Sequence, residues 1–194
     1  MRRKFLCMID YFALLDLERR PFIADESLKN AYLRKSEMVR AQTNELEALS
    51  SVNSAFRTLS NPATRTQHLL NLEFGDARAS RLAPDIGAIF GTVAEAVQMA
   101  DRELGSLSAQ SSALLRALAY QKIDGVRNKL AEVESELSKR ESALLLELRQ
   151  LDEIWHVDPT QCRDRLAQIA LRLTFVQKWW SEVHERQIRF EELA

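Results

Sequence analysis

Five glycines and four prolines are all that 194 residues offer to stop a helix. Glycine costs about 1 kcal/mol and proline about 3 kcal/mol in a helix interior relative to alanine. Their scarcity, with Leu, Ala, Glu, Arg, Gln and Ser filling the stretches between them, predicts an all-α chain with essentially no strand. The few breakers then act as punctuation, and the order of helices can be read from where they stand.

Helix starts are legible wherever a side chain can accept a hydrogen bond from first-turn N–H groups that lack an intrahelical partner. Asp10 precedes the short apolar turn Tyr11-Phe12-Ala13-Leu14-Leu15. Asp25 precedes a run with Leu28, Ala31, Tyr32 and Val39 on one side and Lys29, Arg34, Lys35 and Arg40 elsewhere, an amphipathic helix with a basic exposed surface. Thr43 or Asn44 can cap the next helix, in which Leu46, Leu49, Val52, Phe56 and Leu59 form a continuous apolar stripe against a partner helix. Asn61-Pro62 ends that helix and opens another, since proline at the first helical position gives up only an N–H that has no partner there. His68, Leu69, Leu70 and Leu72 belong to this fourth helix, closed by Gly75.

Gly75, Ser80 and Pro84 interrupt the next stretch, which divides the chain into residues 1–75, a linker at 76–84, and a helical bundle at 85–194. The bundle is expected to hold three helices. The first begins with Ile86, Ile89, Phe90, Val93, Val97 and Ala100 and halts near Gly105-Ser106. The second runs from Ser111 to about Trp155 on Leu114, Leu118, Val126, Leu130, Val133, Leu137, Leu144, Leu148 and Leu151, with Gly125 marking a point for a kink or break. Asp158-Pro159 caps and opens the third. There Leu166, Ile169, Leu173, Val176, Trp180 and Val183 alternate three- and four-residue steps as one seam. Leu171, Phe175 and Trp179 form a second row at spacing four, either a surplus face open to a partner or a wide stripe buried against a third helix.

Bulk composition narrows the function classes. An apolar content of 46% supplies a core, and a net charge of -1 gives no ground for a nucleic-acid binder or a polybasic membrane anchor. Cys7 and Cys162 stand apart without metal or disulfide spacing, so a reducing, cytoplasmic setting is expected. The start Met1-Arg2-Arg3-Lys4-Phe5-Leu6-Cys7-Met8 imitates a signal peptide, but Asp10 and Asp16 interrupt the apolar run and no small-residue cleavage site follows. No apolar stretch approaches the roughly 20 residues of a membrane span.

Three segments carry a resemblance. Asp10-Tyr11-Phe12-Ala13-Leu14-Leu15-Asp16-Leu17, then Leu28-Lys29-Asn30-Ala31-Tyr32, then Val52-Asn53-Ser54-Ala55-Phe56-Arg57-Thr58-Leu59-Ser60-Asn61-Pro62 together look like a J-domain. The opening, and the continuation Arg65-Thr66-Gln67-His68-Leu69-Leu70-Asn71-Leu72, most resemble the HscB co-chaperones of iron-sulfur cluster assembly. The resemblance implies an L-shaped arrangement of a J-like helical hairpin domain and a C-terminal three-helix bundle. It also implies a hairpin that presents Lys29, Arg34, Lys35 and Arg40 to a DnaK- or HscA-type ATPase chaperone. The ending Leu171-Arg172-Leu173-Thr174-Phe175-Val176-Gln177-Lys178-Trp179 resembles the part of HscB that grips the iron-sulfur scaffold protein. Phe90, Val93, Val97, Leu171, Phe175 and Trp179 are carried over as its apolar anchors, while the acidic part of the grip is reduced to Glu95.

The chain departs from that family in the hairpin loop. Family members carry His-Pro-Asp there, and the best register puts Arg40-Ala41-Gln42 in its place. The aspartate would supply a charge-assisted contact and the proline a stiff loop. With neither, stimulation of the chaperone is expected to be lost or strongly weakened while the hairpin still folds, leaving only weak docking through the basic face.

No Gly-rich phosphate loop, nucleophile elbow, HExxH or paired-carboxylate spacing occurs, and His68, His156 and His184 are scattered. No enzyme, metal or cofactor is therefore expected. His68 is read as a hairpin-packing or surface residue. Two functional readings stand: an HscB-like adaptor that binds an iron-sulfur scaffold or client through its bundle, and a helical adaptor or self-associating coiled-coil protein without an iron-sulfur role. The first is a monomer, the second allows a dimer.

Overall fold

Punctuation by caps is realised at three sites, one of them Asp158, whose carboxylate accepts from the Thr160 N–H at 3.0 Å where Pro159 opens the last helix. The Asp10 carboxylate accepts from the Ala13 N–H at 3.1 Å and opens α1 (Tyr11–Leu14). The Asn61 side chain accepts from the Thr64 N–H at 3.0 Å and opens α4 (Pro62–Phe74), with Pro62 in its first turn. Gly75 closes α4 at φ +71°, a left-handed conformation that a side chain would strain, and its N–H returns to the Asn71 carbonyl at 3.1 Å. Between them lie α2 (Asp25–Arg40) and α3 (Glu45–Ser60), and after them α5 (Pro84–Ser108), α6 (Ala113–Trp155) and α7 (Pro159–Glu192). This computed structural model describes residues 8–40, 45–75, 77, 79, 84–108 and 113–192. Among the described residues there are seven helices and no strand, as the scarcity of breakers requires. No helix among them is long and apolar enough to cross a membrane.

Several expectations fall outside the described residues: the basic tail with Cys7, the Thr43 or Asn44 cap, Ala41 and Gln42, most of the 76–84 stretch, and the Ser111 start. The side chains of Leu114 and Leu118 do so as well.

The chain forms two compact units. The first comprises Met1–Ser80 and Leu145–Leu171, the second Arg81–Leu144 and Arg172–Ala194, so α6 and α7 each contribute to both. In the first unit α2 and α3 pair as a hairpin, with Leu28, Ala31 and Val39 buried on one helix and Val52, Ala55 and Leu59 on the other. Phe12 and Leu15 are buried beside α3, as are Leu69 and Leu70 of α4. Each Val, Leu or Phe among them contributes about 1.5–3 kcal/mol by leaving water. Arg65 of α4, itself buried, donates from Nη1 to the Leu59 carbonyl at 2.8 Å and so satisfies an unpaired acceptor in the last turn of α3.

The end of α6 belongs to this unit through a strap of chain. Arg20 donates from Nε to Asp152 Oδ1 at 3.1 Å and also from Nη2 to Oδ2, and the Phe22 N–H reaches Oδ1 at 3.3 Å. The Trp155 indole N–H donates to the Arg19 carbonyl at 2.8 Å, the Phe74 ring meets Trp155 edge-on at 6.2 Å, and the Arg149 guanidinium lies 4.4 Å above the Phe22 ring. Extended backbone between α1 and α2 thereby finds the partners that a loop otherwise takes from water.

In the second unit the core is Ile86, Ile89, Val93, Ala96, Ala100 and Leu104 of α5 with Ile123, Val126, Leu130, Val133, Leu137 and Leu144 of α6. α7 adds Leu173, Val176, Trp179, Val183 and Phe190. Arg186, with 13% of its side chain exposed, ties α7 to Asp101 of α5 at 3.2 Å, and Gln187 donates to Glu134 of α6 at 2.9 Å.

Four local expectations need correction. Leu46 is 86% exposed, because it sits in the first turn of α3, before the part of that helix that buries side chains; the stripe narrows to Val52 and Leu59, flanked by half-buried Leu49 and Phe56. Asp25 is the first helical residue of α2 rather than the residue before it, and the Ala24 carbonyl accepts the first N–H, from Leu28. Gly125 does not break α6, which continues helical through it. On α7 the seam takes Trp179 and leaves Trp180 38% exposed, because two three-residue steps follow one another from Leu173 to Val176 to Trp179 and shift the stripe sideways.

Candidate functional site

Exposed apolar area on a helical protein is informative where side chains cluster. Three of the residues carried over as anchors, Phe90, Phe175 and Trp179, do so in the second unit. Phe90 projects from α5 and is 58% exposed, with its ring centroid 6.2 Å from Trp179 of α7 and tilted 46° to it. Phe175, one turn earlier on α7 and half-buried, lies 5.5 Å from the same indole at 37°. Trp179 itself is 6% exposed. The arrangement is an exposed phenyl ring braced by a buried indole, and such tilted aromatic pairs gain about 0.5–1.5 kcal/mol beyond their area.

The spacing-four row on α7 therefore resolves residue by residue. Trp179 is core, Phe175 is the half-open edge, and Leu171 is half-buried and belongs to the first unit. On α5, Val93 is buried beneath the surface, Val97 is half-buried and Glu95 is exposed. Phe90, Phe175 and Trp179 are brought together, and Phe90 is the member a partner can reach with little rearrangement.

The positions carried over for chaperone contact lie on α2 of the first unit. Lys29, Arg34 and Arg40 are exposed. Lys35 is only half-exposed, and its ammonium is held by Asp16 at 2.9 Å, where the chain adopts φ +55°. α2 also carries Asp25, Glu26 and Glu37, so its four cations face three carboxylates and the surface is only mildly basic. The loop end of this surface rests on Arg40 alone, Ala41 and Gln42 lying outside the described residues.

Titratable groups elsewhere serve the fold. His68 is buried, its Nε2 accepts the Tyr11 N–H at 3.2 Å, and its ring stacks on Tyr11 at 4.8 Å and Phe12 at 5.8 Å. Burial pulls its pKa below the usual imidazole value, with the nearby Asp10 carboxylate pulling the other way. Cys162 is buried, and burial pushes its thiol pKa up, which keeps the group protonated. Among the described residues no group of three His, Cys, Asp or Glu side chains is gathered to hold a metal ion.

Trp180, expected in the buried seam, belongs instead to an exposed row on α7. Trp180, His184 and Ile188 recur at spacing four, and the structure leaves all three exposed, with the Trp180 and His184 rings stacked at 4.7 Å. Compared with known proteins, the chain matches no protein-family model and no curated protein.

Proposed function

We propose that the chain is an HscB-like adaptor that binds an iron-sulfur scaffold or client protein through its C-terminal bundle and has lost most or all stimulation of a DnaK- or HscA-type chaperone. The observation that supports this reading is Phe90, exposed on α5 and braced by Trp179 and Phe175. An apolar ring held rigid before binding gives up little side-chain entropy when a partner covers it, and anchors of this kind carry a disproportionate share of interface energy. The reading implies a cytoplasmic protein that works by burial of surface, with no bond-making step and no cofactor.

The experiment is capture of a purified iron-sulfur scaffold protein by the full chain. Phe90→Ala and Phe175→Ala should each weaken capture by about thirtyfold, corresponding to roughly 2 kcal/mol for a central aromatic anchor. Unchanged capture by both variants overturns the proposal. The chaperone half is tested by ATPase turnover: the chain should give no stimulation, and His-Pro-Asp introduced at Arg40, Ala41 and Gln42 should restore some. Light scattering separates this adaptor from a self-pairing coiled coil, for which a stable dimer is the signature.

A further inference from the structure

We propose that the groove between α6 and α7 in the second unit docks a cationic amphipathic helix of a partner protein, whose basic side chains pair with Asp124, Glu134 and Glu191 and whose apolar side chains cover Trp180 and Ile188. The groove encloses about 680 Å³ and has Ala131 of α6 among its lining residues. That volume falls in the range of well-formed ligand clefts.

Its charge is one-sided. Three carboxylates line it against a single guanidinium, that of Arg127. Asp124 and Glu191 have no ion pair or hydrogen bond among the described residues, and Glu134 is met only by the neutral amide of Gln187 at 2.9 Å. A chain whose net charge is only -1 thus keeps a local excess of negative charge here, of which only Glu134 is engaged in a fold contact and none in an ion pair. Nucleic acid and anionic membrane would be repelled by such a groove; a Lys- or Arg-bearing segment would be attracted.

Charge alone would make a weak site, since exposed ion pairs contribute only about 0–1 kcal/mol each. The apolar half is supplied by the edge. Trp180, 38% exposed, stacks on His184, and Ile188, 41% exposed, follows on the same side of α7. None of these side chains belongs to the buried seam of Val176, Trp179, Val183 and Phe190. α6 and α7 run antiparallel with Gln187 beside Glu134, so Trp180 stands about 10 Å along the axis to one side of that contact and Asp124 about 15 Å to the other, and about five turns of a partner helix cover both.

The proposal is independent of the Phe90 surface and can fail separately. A labelled Lys/Leu amphipathic helical peptide, titrated with the full chain and followed by fluorescence anisotropy, should bind saturably and more weakly as salt is added. Trp180→Ala, and Asp124→Lys combined with Glu191→Lys, should each weaken it about tenfold, the milder Asp124→Asn with Glu191→Gln about threefold, and Phe90→Ala should leave it unchanged. All these side chains except that of Glu134 are exposed, so the variants should fold, and unaltered thermal melts check it. No binding, equal binding of a Glu/Leu peptide, or unchanged affinity in the Trp180→Ala and charge-reversed chains overturns the assignment.

Discussion

Arg20 and Asp152, 132 residues apart, meet in a two-pronged ion pair that fastens the strap before α2 to the last turns of α6. Asp152 is nearly buried while Arg20 keeps about a third of its side chain in water. Removing the carboxylate strands a half-buried guanidinium and the Phe22 N–H together. Asp152→Ala is expected to destabilise the first unit by about 2 kcal/mol, below the 3–5 kcal/mol of a fully buried pair because Arg20 is partly solvated. Urea denaturation measures the loss, and hydrogen exchange should show it as faster exchange at Phe22 and over the start of α2.

His68 gives the hairpin domain an acid sensitivity whose sign follows from its setting. In the folded chain burial lowers its pKa from the ordinary 6.5, whereas in the unfolded chain it titrates normally. Below the ordinary value the unfolded state therefore binds more protons, so stability is full above pH about 6.5 and falls as the pH drops toward the folded pKa. Protonation also turns the acceptor of the Tyr11 N–H into a donor. The Asp10 carboxylate behaves differently. Burial alone would raise its pKa, but the Ala13 N–H and the Arg19 guanidinium outweigh that and hold it below 3.8, so its contribution disappears only in stronger acid. Urea midpoints at pH 7.5 and 5.5 should differ in the natural chain and differ less in His68→Gln.

What the sequence revealed and what it hid divide along locality. Asn61-Pro62 and Gly75 act on their own helix, within four residues, and both were readable from residue type alone. Phe90, Phe175 and Trp179 could be singled out by spacing, but which of them faces water depends on the sideways shift of the α7 seam. A 3.6-residue period allows Trp179 or Trp180 equally after Val176. The Arg20–Asp152 pair left no trace, since an ion pair across 132 residues has no period and no spacing. The same holds for Arg65, whose buried position in α4 serves a carbonyl of α3 and looks in sequence like any surface arginine.

Gly125 tests the helical reading from the other side. It lies mid-helix in α6 with nothing within 4 Å of where a Cβ would stand. Glycine there raises the entropy of the unfolded chain and gains no close packing in return. Gly125→Ala should stabilise the second unit by about 0.5–1 kcal/mol, seen as a higher thermal midpoint with unchanged helical circular dichroism.

Phe90 and Trp179 touch each other yet should respond oppositely to truncation. Phe90 is more than half exposed, so Phe90→Ala removes little buried area and should change stability by less than about 0.5 kcal/mol. Trp179 is buried beneath it, and Trp179→Ala opens a cavity in the second unit that should cost about 3–5 kcal/mol. If the surface works as proposed, Phe90→Ala loses scaffold capture in a chain that melts normally, whereas Trp179→Ala loses both together. Phe175, half-buried against the same indole, should fall between them, with a stability loss of about 1–2 kcal/mol. Thermal melts paired with capture assays on the three variants separate a docking ring from its support. Equal stability losses at Phe90 and Trp179 would mean that the phenyl ring is part of the core and that no free anchor is presented.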